Sequence, residues 1–259
     1  MFGFPFDASL LLLLVSVAFL SGIGITTIGP GGIFVTIALY SLTPLSSGQV
    51  AGTAHATFVA TGLVGSAAYL RSGEMRTGEG RALAIVLSLS SVLGALVGAY
   101  VNAFVHRAVF GALLGSVAML VGGVILYRVR RGFSPVYDLE IGTSTGRVAL
   151  ALLGFGLGVA SGLLGIGGPV LAVPTLVLVG VPMLLAVAVA QVQSIFIAAF
   201  ATAGYALQGT VLLPLAVVVS VPLLFGVVVG WKVAHAVDPN RLKVTLGVVM
   251  LGVGPYLAL

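Results

Sequence analysis

Two stretches of this chain, Thr26-Thr27-Ile28-Gly29-Pro30-Gly31-Gly32 and Gly162-Leu163-Leu164-Gly165-Ile166-Gly167-Gly168-Pro169, offer backbone rather than side chains to a ligand. Glycine has no Cβ, so it enters left-handed turns and lets a bound group come close to the main chain. Each stretch leads into a short apolar run, read as a helix of about a dozen residues. The first N–H groups of a helix lack intrahelical partners and carry the positive end of its dipole. Surrounded by apolar material, those donors need an acceptor, and a small anion supplies one. Thr27, Gly29, Gly31, Gly32, Gly165, Gly167 and Gly168 are therefore candidate substrate contacts.

A second set of polar residues follows each turn: Thr53, His55 and Thr57, then Gln191, Gln193 and Ser194. A shift of 136 residues places His55 on Gln191 and Thr57 on Gln193. Glutamine donates amide hydrogens to an oxyanion without adding a charge, while Thr and Ser hydroxyls often bond back to their own helix. Imidazole titrates near neutral pH. Three roles stay open for His55: an interhelical hydrogen bond, a substrate contact and a proton relay.

The elements that carry these residues must sit in lipid. Of 259 residues, 59% are hydrophobic and 7% charged, and the mean hydropathy is +1.25; soluble domains carry about 25% charged residues. The excess of Lys and Arg, 11 against 6 acids, is concentrated in the short connections, which points to membrane topology rather than to nucleic acid. There is no cysteine, so disulfides and thiolate metal sites are excluded. Apolar runs fall at 8–28, 31–43, 47–70, 82–105, 108–127, 147–165, 169–180, 183–206, 211–234 and 240–258. They lack the alternation of spanning strands. The class is all-α and polytopic, in contact with the lipid bilayer and expected in the plasma membrane.

The 136-residue shift also aligns Gly22, Gly29, Gly31, Gly32, Tyr69 and Gly73 with Gly158, Gly165, Gly167, Gly168, Tyr205 and Gly209. This predicts two repeats, 1–127 and 147–259, joined by a polar cytoplasmic linker, 128–146, each repeat a glycine-turn hairpin plus three spanning helices. Glycine pairs elsewhere, Gly94/Gly98, Gly111/Gly115 and Gly154/Gly158, read as close helix packing. Arg71, Arg76 and Arg81 follow the third segment, whereas the equivalent connection, 208–213, is uncharged. The next connection reverses the bias, with His106 and Arg107 against Lys232, His235, Arg241 and Lys243. Opposite biases predict inverted repeats, with both turns brought to the membrane middle.

The motifs of an enzyme are missing: no HExxH, no GxSxG, no P-loop lysine and no paired carboxylates within one segment. No cofactor or metal is expected.

The run Gly165-Ile166-Gly167-Gly168-Pro169-Val170-Leu171-Ala172-Val173-Pro174 resembles the G-x-G-G-G-x-x-x-V-P signature of the TauE/SafE family of sulfite and organosulfonate exporters. Pro169 stands where the family usually has glycine, and the first copy has Ile37-Ala38 in place of Val-Pro. The resemblance implies transport, mostly outward, of a small anion such as sulfite, thiosulfate, a sulfonate or a carboxylate. Expectation thus settles on a secondary transporter whose partner is a small anionic substrate, with an anion channel and a non-transporting membrane scaffold as alternatives.

Overall fold

The apolar runs of the chain form helices, and the breaks fall where glycine, proline or clustered charge interrupts them. The computed structural model describes residues 7–72, 78–131, 143–236 and 239–258. In the first half, α1 (Ala8–Thr27) is followed by one 3-10 turn (Pro30–Gly32) that runs on into α2 (Ile33–Leu42). Then come α3 (Ser47–Ser72), α4 (Gly78–Asn102) and α5 (Arg107–Arg131). The second half repeats the order with α6 (Ser144–Leu164), α7 (Gly168–Leu178), α8 (Met183–Leu207), α9 (Leu213–Ala236) and α10 (Pro239–Ala258). Among the described residues there is no strand.

Six helices, α1, α4, α5, α6, α8 and α9, are long and apolar enough to cross a membrane. The chain is a multi-pass membrane protein. Leu12, Leu20, Leu89, Leu93, Leu120, Leu152 and Phe225 are all more than half exposed, which suits an outer surface solvated by lipid tails. The helix α3 is long enough to cross as well, at 26 residues, but is more polar, and its Thr53, His55, Thr57 and Thr61 are all buried. Its polarity faces protein, as polar groups within a membrane generally do.

The halves are intertwined. The first helix of each half packs on the fourth helix of the other, α1 on α9 and α6 on α4. Glycine makes both contacts close. A Cβ on Gly22 would stand 2.8 Å from the Val227 nitrogen, and one on Gly94 would stand 2.8 Å from the Val159 nitrogen. Ascending positions meet ascending positions in both pairs, Gly94 with Val159 and Gly98 with Leu163, so each pair is parallel. Hydrogen bonds tie them, from Thr26 Oγ1 to the Val227 carbonyl (2.8 Å) and from Ser91 Oγ to the Gly154 carbonyl (2.8 Å). The helices that correspond across the repeat run the other way. On α3 and α8, Gly52 meets Tyr205 while Gly65 meets Gln191; on α5 and α10, Gly122 meets Gly247 while Met119 meets Gly254. Both pairs are antiparallel.

The expected polar linker is narrower than its composition suggests. The helix α5 continues through Arg131 and α6 starts at Ser144, where the Thr143 side chain accepts the Gly146 N–H (3.0 Å). Arg128 is thereby a helical residue, only 6% exposed. Residues 132–142, Gly73 and Arg76 lie outside the described residues, as do the side chains of His235, Arg241 and Lys243.

Candidate functional site

The last carbonyls of a helix have no N–H partners within it, and where they are buried other donors must supply them. In this molecule side chains at equivalent places in the two halves supply them. Tyr69 Oη donates to the Thr26 carbonyl (2.6 Å), and Tyr205 Oη donates to the Gly162 carbonyl (2.8 Å). Both tyrosines are fully buried. A second tether crosses between the halves. His55 Nε2–H donates to the Ser161 carbonyl (2.9 Å), and Gln191 Nε2 donates to the Ile25 carbonyl (3.3 Å). Donors and acceptors all correspond under the 136-residue shift, Tyr69 with Tyr205, His55 with Gln191, Thr26 with Gly162, Ile25 with Ser161. Asn102 Nδ2 adds a bond to the Leu163 carbonyl (2.7 Å).

Beyond these ends the chain reverses. In the first turn the N–H groups of Ile28 and Gly29 both go back to the Gly24 carbonyl, and Gly29 takes φ 107°. In the second, Gly165 closes α6 in the left-handed region (φ 66°) with its N–H on the Ser161 carbonyl (2.8 Å). No residue with a Cβ adopts the first of these geometries without strain.

The register along α3 shows how the turns are arranged. Gly165 packs on Ala51, near the start of α3, and the Thr26 carbonyl meets Tyr69, near its end. Eighteen residues of helix separate Ala51 and Tyr69, about 27 Å. Between them, Phe58 receives both Gly32 and Gly167: a Cβ on either would lie 3.4 Å or 3.3 Å from its ring. The same hypothetical Cβ on Gly32 would lie 3.4 Å from the Ile166 carbonyl, and Thr36 Oγ1 donates to the Gly165 carbonyl. The sequence places both turns at one depth. In the folded chain their tips point toward opposite ends of α3, and it is the helix starts beyond them that meet halfway.

The candidate residues fall into separate groups. Gly32, Gly167 and, beside Ser194, Gly168 lie at this junction; a Cβ on Gly168 would stand 3.0 Å from the Ser194 Cα. Gly31 instead packs back on α1, 2.5 Å from the Ile25 nitrogen by the same measure. Gly29 and Gly165 shape the turns. His55 and Gln191 hold carbonyl ends, and His55 also stacks on the Tyr205 ring, centroids 6.2 Å apart. His55 Nδ1 is buried with no hydrogen-bond partner among the described residues. Thr53, Thr57, Thr27 and Gln193 hold hydrogen bonds elsewhere. Thr53 Oγ1 accepts the Leu212 N–H (3.2 Å), while Thr57 and Thr27 bond to their own helices at Ala54 and Ile23. Gln193 Nε2 donates to Ser91 Oγ (2.6 Å), where α8 meets α4.

Phe58, Thr36 and the two tyrosines stand outside the set expected from the sequence, although the matched positions of Tyr69 and Tyr205 in the repeat signal their shared role. Two arginines on α5 join them. Arg107 Nη2 donates to the Thr43 carbonyl (2.9 Å), the same guanidinium reaches the carbonyls of Tyr40 and Leu45, and it lies 4.4 Å above the Tyr40 ring centre. It caps the C-terminal end of α2. Arg128 borders a cavity of about 40 Å³ with Ile28 and Pro30 of the first turn and Val173, Pro174 and Val177 of α7.

A family model described as Sulfite exporter TauE/SafE matches residues 11–257. No curated protein and no solved structure matches the chain.

Proposed function

The chain belongs to the sulfite exporter TauE/SafE family, a family of membrane transport proteins, and from that premise we propose that it carries a small sulfur-containing oxyanion, sulfite, thiosulfate or an organosulfonate, outward by alternating access. The observation that carries this reading is the meeting of Gly32 and Gly167, one from each half, on the single ring of Phe58. Helix starts that converge in this way present backbone N–H groups and two dipole ends to one space. Uncharged donors suit a ligand that must also leave.

The arrangement of the turns supplies the two gates. Each turn lies toward a different end of α3, so displacing one opens the junction to one side while the other stays shut. The antiparallel packing of α3 on α8 and of α5 on α10 supports an inverted relation between the halves, as in many carriers with a central site. Loop charge puts the first turn and Arg128 at the cytoplasmic side and the second turn and Arg107 at the outer side. The tethers from His55, Gln191, Tyr69 and Tyr205 fix the carbonyl ends and leave the helix starts for the anion.

Proteoliposomes loaded with labelled sulfite test the proposal. Saturable efflux that unlabelled thiosulfate or a sulfonate inhibits is the expected result. Unsaturated electrical conductance would replace the carrier with a channel, and absence of flux for every sulfur oxyanion and dicarboxylate offered would leave a scaffold.

A further inference from the structure

His55 is fully buried, with one ring nitrogen engaged and the other idle. The Ser161 carbonyl, 2.9 Å from Nε2, only accepts, so Nε2 carries a hydrogen. In the neutral ring Nδ1 is then a lone pair, and it has no hydrogen-bond partner among the described residues. Buried polar atoms without partners are uncommon and destabilising, and the tether uses Nε2 alone. The ring adjoins the junction on two sides. It meets the Phe58 ring edge-on, centroids 6.3 Å apart, and Phe58 is the ring that receives Gly32 and Gly167. Ser161 donates its own hydroxyl to the Gly167 carbonyl (3.2 Å).

Fixed charge is distant from this place. The titratable group stacked on His55 is Tyr205 of α8, whose Oη is engaged at the Gly162 carbonyl. The charged residues of α3 and α6 are Arg71 and Arg147, each about four helical turns from the contact of His55 with Ser161. Tyr69, also on α3, is tied to the Thr26 carbonyl. On α9, which meets α3 at Leu212, Lys232 and His235 lie at the opposite end, and α2, α7 and α8 carry no charged residue. An anion held there by uncharged backbone donors would be a buried charge without a counter-charge, which is costly. Imidazole is the group at hand that can supply one, because it ordinarily takes up a proton near neutral pH.

We propose that Nδ1 of His55 is the seat of a proton that travels with the anion, so that each turnover moves one monoanion, a sulfonate or bisulfite, together with one proton. This rests on the transport reading above and adds the coupling ion to it. On loading, Nδ1 takes a proton from the aqueous phase and its N–H donates to an anion oxygen, a charge-assisted pair. No bond of the anion forms or breaks. On unloading, the proton returns to water on the opposite side and the ring is neutral again. Nε2 carries a hydrogen in both states, so the tether to the Ser161 carbonyl holds the end of α6 while the charge on the ring changes.

The test uses methanesulfonate, which does not titrate near neutral pH, so that a proton moving with it is carried by the protein. Full-length wild type and His55→Gln are placed in proteoliposomes loaded with labelled potassium methanesulfonate and a trapped pH-sensitive dye, and the background of protein-free liposomes is subtracted. Efflux through the wild type should make the lumen alkaline by one proton for each anion, at a rate indifferent to a potential imposed with potassium and valinomycin. His55→Gln keeps a donor for Ser161 and cannot be protonated. Its remaining flux should lose the pH change and follow the imposed potential. Wild-type efflux without a change in luminal pH overturns the proposal, and so does wild-type proton movement in His55→Gln. If His55→Gln does not fold, the wild-type proton count and voltage response decide alone. If sulfite moves and methanesulfonate does not, bisulfite at pH 6 replaces it, and a wild-type rate that follows the potential overturns the proposal. Failure of wild-type flux for every anion would overturn the transport reading, a separate outcome.

Discussion

The two glycine turns occupy corresponding positions, yet they are held by different chemistry. The carbonyl end of α6 is gripped by His55 and Tyr205, and that of α1 by Gln191 and Tyr69. The tyrosine tethers are alike and the cross-half tethers are not. Thr36 of α2 donates to the second turn at Gly165, whereas its counterpart, Ala172 of α7, has no hydroxyl to return to the first. The second turn therefore has the additional hydrogen bond and the titratable tether; the first has the glycine of less common geometry and the adjoining Arg128. What the halves share keeps the hairpins in place, and what they do not share leaves the two turns unequally held.

The largest effect expected from breaking this comparison lies at the turn glycines. A side chain at Gly165 would push into the α3 backbone, its Cβ 2.5 Å from the Ala51 Cα, and one at Gly29 would meet Val173 at 2.6 Å. Gly165→Leu and Gly29→Leu should both lose the folded state, by about 3 kcal/mol or more once strain and overpacking combine; size-exclusion profiles of the detergent-solubilised variants would show it. The second effect separates the unlike tethers. Gln191→Leu strips the Ile25 carbonyl, because the Gly29 N–H that would otherwise reach it goes to Gly24. His55→Leu leaves the Ser161 carbonyl its bond from the Gly165 N–H. Gln191→Leu should therefore cost about 1–3 kcal/mol and His55→Leu less, read as melting temperatures. Equal losses would contradict the assigned difference.

A smaller effect tests the likeness. Tyr69→Phe and Tyr205→Phe each remove one buried donor and should cost about 1 kcal/mol apiece, with Tyr205→Phe the milder at the Leu163 carbonyl, which keeps its bond from Asn102. The smallest belongs to His55→Gln, which makes the two cross-half tethers the same. It should stay within about 1 kcal/mol of wild type because a donor to Ser161 remains. Flux of that variant measured between pH 5 and pH 8 isolates the imidazole: a profile that flattens shows that His55 titrates during transport, and an unchanged profile leaves it a tether.

Helix boundaries and duplication were legible because apolar runs such as 10–15 and 215–219 need only hydropathy to be recognised, and because Tyr69 and Tyr205 mark the repeat by position. Partner choice was not. In lipid every helix face is apolar, so hydrophobicity does not say that α1 belongs against α9; only the small residues Gly22, Gly226 and Gly230 hint at a close contact. Arg128 was hidden by its neighbours, since Arg130 and Arg131 make the same stretch look solvated. Phe58 and Thr36 are residue types that occur throughout apolar helices, and nothing in their spacing distinguishes them. The polar residues Thr53, Thr57 and Gln193 were conspicuous in the sequence, and satisfy hydrogen bonds to Leu212, Ala54 and Ser91.

Gly32 is the decisive position. Its backbone is ordinary helix (φ −60°), and an added methyl would make contacts of 3.4 Å with Phe58 and the Ile166 carbonyl, so Gly32→Ala and Gly32→Val fill the junction with little strain on the chain. Sulfite efflux from proteoliposomes, measured beside the melting temperature, should fall stepwise from wild type through Gly32→Ala to about a tenth or less in Gly32→Val while the protein stays folded. Wild-type flux in a folded Gly32→Val would contradict the claim that the anion passes where the two hairpins meet.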